Sequence, residues 1–211
     1  MQTSYGTTIN WYNEFGVTRQ EVAVPLNDET TNPKQFMGPI IDYIQDGMLS
    51  GSIVDSFIGI ASPEFFDALV SHPYVADAYK YQALNNGGTT SADVLVGRLS
   101  NGGLGAQYET FNFGGITWIR YRGSYVDRNT GATVKFIPAG DAYVFPRTSD
   151  VMFKTFFAPA NRFDTINSVA QEAYFFEYMG EKQDKIEIMT ESNFLNFVGR
   201  PQAIVRAYIA P

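Results

Sequence analysis

The chain has one histidine, His72, so any proton-transfer chemistry by imidazole would have to run through it. It stands between Ser71 and Pro73 at a predicted helix start, which marks it as a capping or surface residue and not a general base. One histidine cannot supply a two-histidine metal site, and with no cysteine there is no disulfide, thiolate nucleophile or thiolate-ligated zinc. An all-oxygen calcium or magnesium site is the metal chemistry left open. Asp127, Asn129 and Thr130 have some look of a calcium loop, but the required glycine and terminal glutamate are missing and a hairpin turn explains them. Glu172, Glu177 and Glu181 read as a solvated acidic face. Asn101-Gly-Gly-Leu-Gly105 is rich in glycine, yet neither a phosphate-loop lysine nor a firm helix follows, so it reads as a flexible loop. An enzyme working with carboxylates alone would need a close pair from Asp141, Asp150 and Glu172. No residue is assigned to catalysis, to a cofactor or to a metal.

Arg120, Arg122 and Arg128 form the concentrated basic group. On a strand Arg120 and Arg122 would point the same way, as a salt-bridge strip against an acidic neighbour or as an ordinary charged face. The formal net charge of −7 argues against general binding to a phosphate backbone, which needs clustered cations. The 13 Tyr and 17 Phe exceed what a core alone needs, and tyrosine suits interfaces because its ring packs while its hydroxyl stays hydrated. Met1–Gly6 has no basic region leading into an apolar run, so no signal peptide is expected, and no apolar run approaches a bilayer span.

The elements that would carry these residues are mixed. Val22, Val24 and Leu26 alternate over residues 17–26 as a half-buried strand, placed near an edge by Pro25. Trp11–Gly16 reads as a strand or turn before it, and Asn27–Asn32 as a polar loop. Phe36, Met37, Ile40, Ile41, Ile44 and Met48 recur every three or four residues from Pro33 to Leu49, an amphipathic helix. Pro39 predicts a kink or a later start, and Gly47 and Gly51 offer stops. Phe57–Ala61 reads as a buried strand, and Ser62-Pro-Glu-Phe65 as a helix start with serine as cap. Residues 85–105 form a polar, glycine-rich excursion and the best internal boundary. Strands follow: one through Ile116 and Trp118, a hairpin of Ser124–Val126 with Thr133–Ile137, then Ala142–Phe145, Phe153–Phe157, Lys185–Met189 and Ala203–Ile209. Helices beside a largely antiparallel sheet give an α+β class.

Several of these segments together resemble a known family. They are Phe113-Gly-Gly-Ile116 with Tyr121-Arg-Gly123, Phe136-Ile-Pro-Ala-Gly140, Phe156-Phe-Ala-Pro-Ala160 with Thr165-Ile-Asn167, and Glu191-Ser-Asn193 with Arg200-Pro201. Upstream, Ser62-Pro-Glu-Phe-Phe-Asp67, His72-Pro73 and Ala78-Tyr79 fit the same pattern. Over most of residues 12–209 the chain resembles the major capsid protein E family of tailed bacteriophages, the lambda-like head proteins. The resemblance implies a Hong Kong 97-type α+β fold with mixed and antiparallel sheets, in which Pro33–Leu49 is the spine-like helix. It implies peripheral-domain strands and the long helix in 1–52, a mostly axial domain in 53–160, and strands returning to the peripheral domain in 161–211. Members carry an N-terminal arm and an extended loop ahead of the segment near Trp11, where this sequence has a short lead-in and so reads as a shortened form.

The function so implied is a major head subunit, forming hexamers and pentamers of an icosahedral shell, located in the virion and in host cytoplasm before assembly. Its partners would be copies of itself and decoration, portal or scaffolding proteins, with no cofactor, membrane or specific nucleic-acid recognition. Suspected interface residues are Arg120, Arg122, Phe156, Phe157, Asn161, Arg162 and Phe163, with the 85–105 loop. The alternative is a soluble carbohydrate- or peptide-binding accessory module of a phage particle, using surface Trp and Tyr as a stacking platform.

Overall fold

A computed structural model describes residues 9–48, 53–78, 109–127, 130–148, 152–179 and 185–210. The 85–105 excursion, Gly51, Tyr79, Arg128, Asn129, Asp150 and Glu181 lie outside these residues. Two compact units emerge, one of residues 15–150 with 200–211, the other of residues 1–14 with 151–199. These limits differ from the segment boundaries at 52/53 and 160/161, because the last strand of the chain pairs with strands from much earlier in it.

The larger unit is built on a six-stranded mixed sheet. Its strands are β1 (Gln20–Val24), β2 (Val54–Ala61), β3 (Thr110–Phe113), β4 (Ile116–Arg120), β7 (Asp141–Thr148) and β12 (Val205–Ile209), in spatial order β1-β12-β7-β2-β4-β3. β1 pairs with β12, and β2 with β4, in parallel; the remaining neighbours are antiparallel. β1 is an edge strand, as Pro25 suggests. The short hairpin of β5 (Ser124–Val126) and β6 (Thr133–Lys135) forms where Asp127–Gly131 predicts a turn. There the Thr130 hydroxyl donates to Asp127 Oδ2 at 2.8 Å, so Asp127 and Thr130 serve a turn.

Helix α2 (Lys34–Met48) buries Met37, Ile40, Ile44 and Met48 as one stripe. Pro39 lies inside the helix on its exposed side, and the helix starts ahead of it. Gly47 is not a stop but a contact: a Cβ there would sit 2.7 Å from the Gln202 carbonyl oxygen. The helix ends one residue later, where the Arg200 guanidinium donates to the Met48 carbonyl.

Helix α3 (Pro63–Ser71) begins as the sequence predicts, and buries Phe65, Phe66 and Leu69. The buried Ser62 hydroxyl accepts from Phe65 N at 3.2 Å and from Gly140 N at 3.0 Å, so one oxygen caps the helix and fixes the entry into β7. Ser62→Ala removes the acceptor of two buried donors and is expected to destabilise the protein by about 2 kcal/mol, measured by urea unfolding.

His72 departs from the surface reading, since only 3% of it is exposed. Its backbone carbonyl accepts from Val75 N and Ala76 N, which starts a second helical stretch over 73–78. Its Nε2 lies 3.1 Å from the Asp28 carbonyl oxygen, which can only accept, so Nε2 carries the proton and His72 pins the 27–32 loop. Within that loop Asp28 accepts from Thr30 and Thr31, which lowers its pKa to about 2.

The smaller unit has two two-stranded antiparallel ribbons. One pairs β8 (Phe153–Ala158) with β11 (Asn193–Val198), the other β9 (Tyr174–Met179) with β10 (Ile186–Glu191). Trp11–Gly16 is neither strand nor simple turn: helix α1 (Trp11–Glu14) forms there, with the Asn10 side chain accepting from Tyr12 N at 3.1 Å. Its Trp11 ring meets Phe197 of β11 edge-on at 5.2 Å.

Candidate subunit interface

An isolated two-stranded ribbon buries too little to be stable by itself and needs a further layer. For β9–β10 the described residues supply that layer on one face only. Side chains alternate along a strand, and paired residues share a face, so Tyr174, Phe176 and Tyr178 lie together with Glu187, Met189 and Glu191. Arg162 covers this face, its guanidinium 3.9 Å from the Phe176 ring centre and 4.9 Å from that of Tyr178. Beside it Asn161 N donates to Glu191 Oε1 at 2.8 Å, and Asn193 Nδ2 to the same oxygen at 2.9 Å. These bonds, with the Arg162 charge, hold the half-buried Glu191 carboxyl below its ordinary pKa.

The opposite face carries Phe175, Glu177 and Met179 on β9, with Ile186, Ile188 and Thr190 on β10. All of these are exposed, Phe175 at 74% and Ile188 at 76%. A sheet face this apolar, without cover from the described residues, marks an association surface.

The β8–β11 ribbon is apolar on both sides. Phe153 and Phe157 share one face with Phe194 and Val198, across a Thr155–Asn196 side-chain hydrogen bond of 2.9 Å. Lys154 and Phe156 share the other with Leu195 and Phe197. Phe163, next to Arg162, is 95% exposed.

Of the suspected interface residues, Phe156, Phe157, Asn161, Arg162 and Phe163 therefore fall in one unit. Asn161 and Arg162 hold the ribbon inside the chain, while Phe156, Phe157 and Phe163 are exposed. Arg120 and Arg122 belong to the larger unit and do not continue one strand, because β4 ends at Arg120. Arg120 pairs within the chain with Asp67 at 2.8 Å and Glu109 at 3.3 Å. Arg122 is exposed and has no ion pair among the described residues. Both line a cleft of about 290 Å³ with Glu64, Tyr121, Lys135 and Ile137.

The uncovered β9–β10 residues were not singled out by sequence. Their signal was the alternation of Ile186 and Ile188 against Glu187, in a strand read as ordinary. The carboxylate-only chemistry finds no support at Asp141, which is buried with both oxygens accepting from Arg206, at 2.9 and 2.8 Å. Arg206 also meets Glu21 at 3.3 Å, which ties β1, β12 and β7 together, and the Asp141 bonds raise its pKa. Among the described residues no group of acidic or histidine side chains could hold a metal ion. No helix there is long and apolar enough to cross a membrane.

A mixed α+β unit in which Arg120, Lys135 and Arg206 are paired internally, and a second unit of ribbons with exposed apolar faces, fit a structural protein. The fold is of a phage capsid type: it matches a crystal structure assigned as a prophage capsid protein of Escherichia coli CFT073, with TM-score 0.52 and 17% identity over 87% of this chain and 49% of the other. The model of the phage major capsid protein E family matches residues 2–209, and the chain belongs to that family. It is 40% identical over 205 residues to the major capsid protein of Pseudomonas phage KPP10, and 22% identical over 210 residues to that of Salmonella phage Felix O1. These matches take in 97% and 92% of this chain but 57% and 56% of the two relatives, so the chain spans a little over half their length.

Proposed function

We propose that the chain is a shell-forming head subunit, or part of one, that associates with its own copies into hexamers and pentamers of an icosahedral phage shell with a Hong Kong 97-type fold. The observation that carries this is the uncovered apolar face of β9–β10, Phe175, Met179, Ile186 and Ile188, in a chain that belongs to a capsid family. In this reading residues 1–52, with helix α2, contribute to the peripheral domain, 53–160 mostly to the axial domain, and 161–211 to strands that return to the peripheral domain. Phe156, Phe157 and Phe163 add contact area, and Arg122 meets an acidic group of a neighbour. Arg120 supports that cleft through Asp67 and Glu109. The subunit resides in the virion after a cytoplasmic stage, and decoration, portal or scaffolding proteins would join the finished array. A net charge of −7 keeps the wall from gripping packaged duplex.

The test is assembly of the purified protein, followed by sedimentation velocity and negative-stain microscopy. Rings or shells are expected for the parent. Phe175→Ser with Ile188→Ser is expected to lower the assembled fraction about tenfold or more, because each exchange removes apolar burial of about 1.5–3 kcal/mol. Both side chains lie in solvent in the single chain, so circular dichroism melting should be unchanged. Single particles at every parent concentration would overturn the reading.

A further inference from the structure

The two ribbons differ in a way that specifies how copies meet. The open face of β9–β10 has one charged residue, Glu177, opposite Ile188 and flanked on its own strand by Phe175 and Met179. One face of β8–β11 also has one charged residue, Lys154, opposite Phe197, which Trp11 of α1 meets edge-on, with Phe156 and Leu195 exposed beside it. Neither charge has an ion pair among the described residues. A lone charge inside an apolar face is a penalty once that face is covered, unless an opposite charge is brought to it. Glu177 laid against Glu177 would add repulsion, whereas Lys154 offers a match. The remaining β8–β11 face, with Phe153, Thr155, Phe157, Phe194, Asn196 and Val198, carries no charge to set a register.

We propose that neighbouring copies join head to tail, the open β9–β10 face of one lying on the Lys154 face of β8–β11 in the next, with Glu177 against Lys154. This rests on the self-association reading and gives it a direction. Contacts between two different surfaces generate rings when the rotation closes, as self-complementary patches do not. The area agrees with a cooperative array. Six-residue strands are about 20 Å long, so a ribbon face offers only about 200 Å², against about 800 Å² per partner in a stable pair. One contact would not hold a dimer, and repetition around a closed array would.

The chain has no cysteine, so introduced thiols report contacts without background. Copies carrying Ile188→Cys are mixed with copies carrying Leu195→Cys, oxidised under assembling conditions and run on a non-reducing gel. Cross-linked dimer in the mixture is expected at about ten times the level of either variant alone, since the pairing joins unlike faces. Separately, Lys154→Glu and Glu177→Lys are each expected to lower the assembled fraction about tenfold, and the double exchange to recover most of it. Equal cross-linking in mixture and single variants, or a double exchange no better than the single ones, overturns the head-to-tail pairing while parent assembly stands. A parent that stays monomeric overturns the pairing and the self-association reading together.

Discussion

Trp118→Ala is expected to lower the stability of the larger unit by about 3–5 kcal/mol, read as a fall in the urea midpoint at constant slope. The indole is fully buried, and the sheet is built around it. Its register partner on β2 is Gly59, where a Cβ would lie 2.6 Å from Trp118 Cε3, so the ring occupies space that any other residue at 59 would fill. Phe65 of α3 packs against it with ring centres 5.3 Å apart, and its Nε1–H donates to the Phe113 carbonyl at 3.3 Å. Alanine would leave a large cavity between sheet and helix and strip a buried carbonyl of that donor. Trp118→Phe keeps much of the packing and should lose less. A loss below about 1 kcal/mol for the alanine variant would mean that β2, β4 and α3 can close over the gap, contrary to how tightly Gly59 sets their spacing.

Local signals were the legible ones. The stripe from Met37 to Met48, the Ser62-Pro63-Glu64 start and the Asp127–Gly131 turn each depend on neighbours within a few residues, and each formed where expected. Pairings made across the chain were not legible. The parallel pairing of β1 with β12 joins Gln20 to Val205, and the partners of Arg120 lie on α3 and ahead of β3. The surface reading of His72 failed for the same reason, since its burial depends on the 27–32 loop folding back over it. At the candidate interface, the aromatic content reads as a signal of association, and Phe156, Phe157 and Phe163 are exposed in the single chain. Which face of β9–β10 stays open was hidden, because that depends on Arg162 reaching Phe176 and Tyr178 from an earlier segment. Motifs that carried the family resemblance turn out to be joints of the fold. Gly140 ends the Phe136–Gly140 motif by donating to the Ser62 cap, and Arg200 of Arg200-Pro201 closes the end of α2.

Phe113-Gly-Gly-Ile116 is such a joint, and it gives the second large effect. Phe113 pairs with Ile116, so Gly114 and Gly115 are the whole loop between β3 and β4, with φ of 64° and 84°. Two positive φ values in a two-residue hairpin loop match the twist of the strands and favour glycine at both places. The surroundings of the two glycines differ, however. A Cβ on Gly114 would lie 2.4 Å from Met37 Cγ and 2.6 Å from its Cβ, whereas one on Gly115 would meet only the tip of Ile41, at 3.4 Å. Met37 is buried on α2 and its Cβ is fixed by the helix backbone, so the hairpin or the helix would have to move. Gly114→Ala should therefore combine a left-handed backbone penalty of about 1–2 kcal/mol with overpacking of about 1–3 kcal/mol. Gly115→Ala should show the backbone penalty alone, about 1–2 kcal/mol. Removing the obstructing side chain with its Cβ separates the two contributions: Met37→Gly with Gly114→Ala should be less destabilised than the sum of the single variants, by about 1 kcal/mol or more. Equal losses at the two glycines, or strict additivity with Met37→Gly, would mean that turn conformation alone fixes this motif and that its contact with α2 contributes nothing.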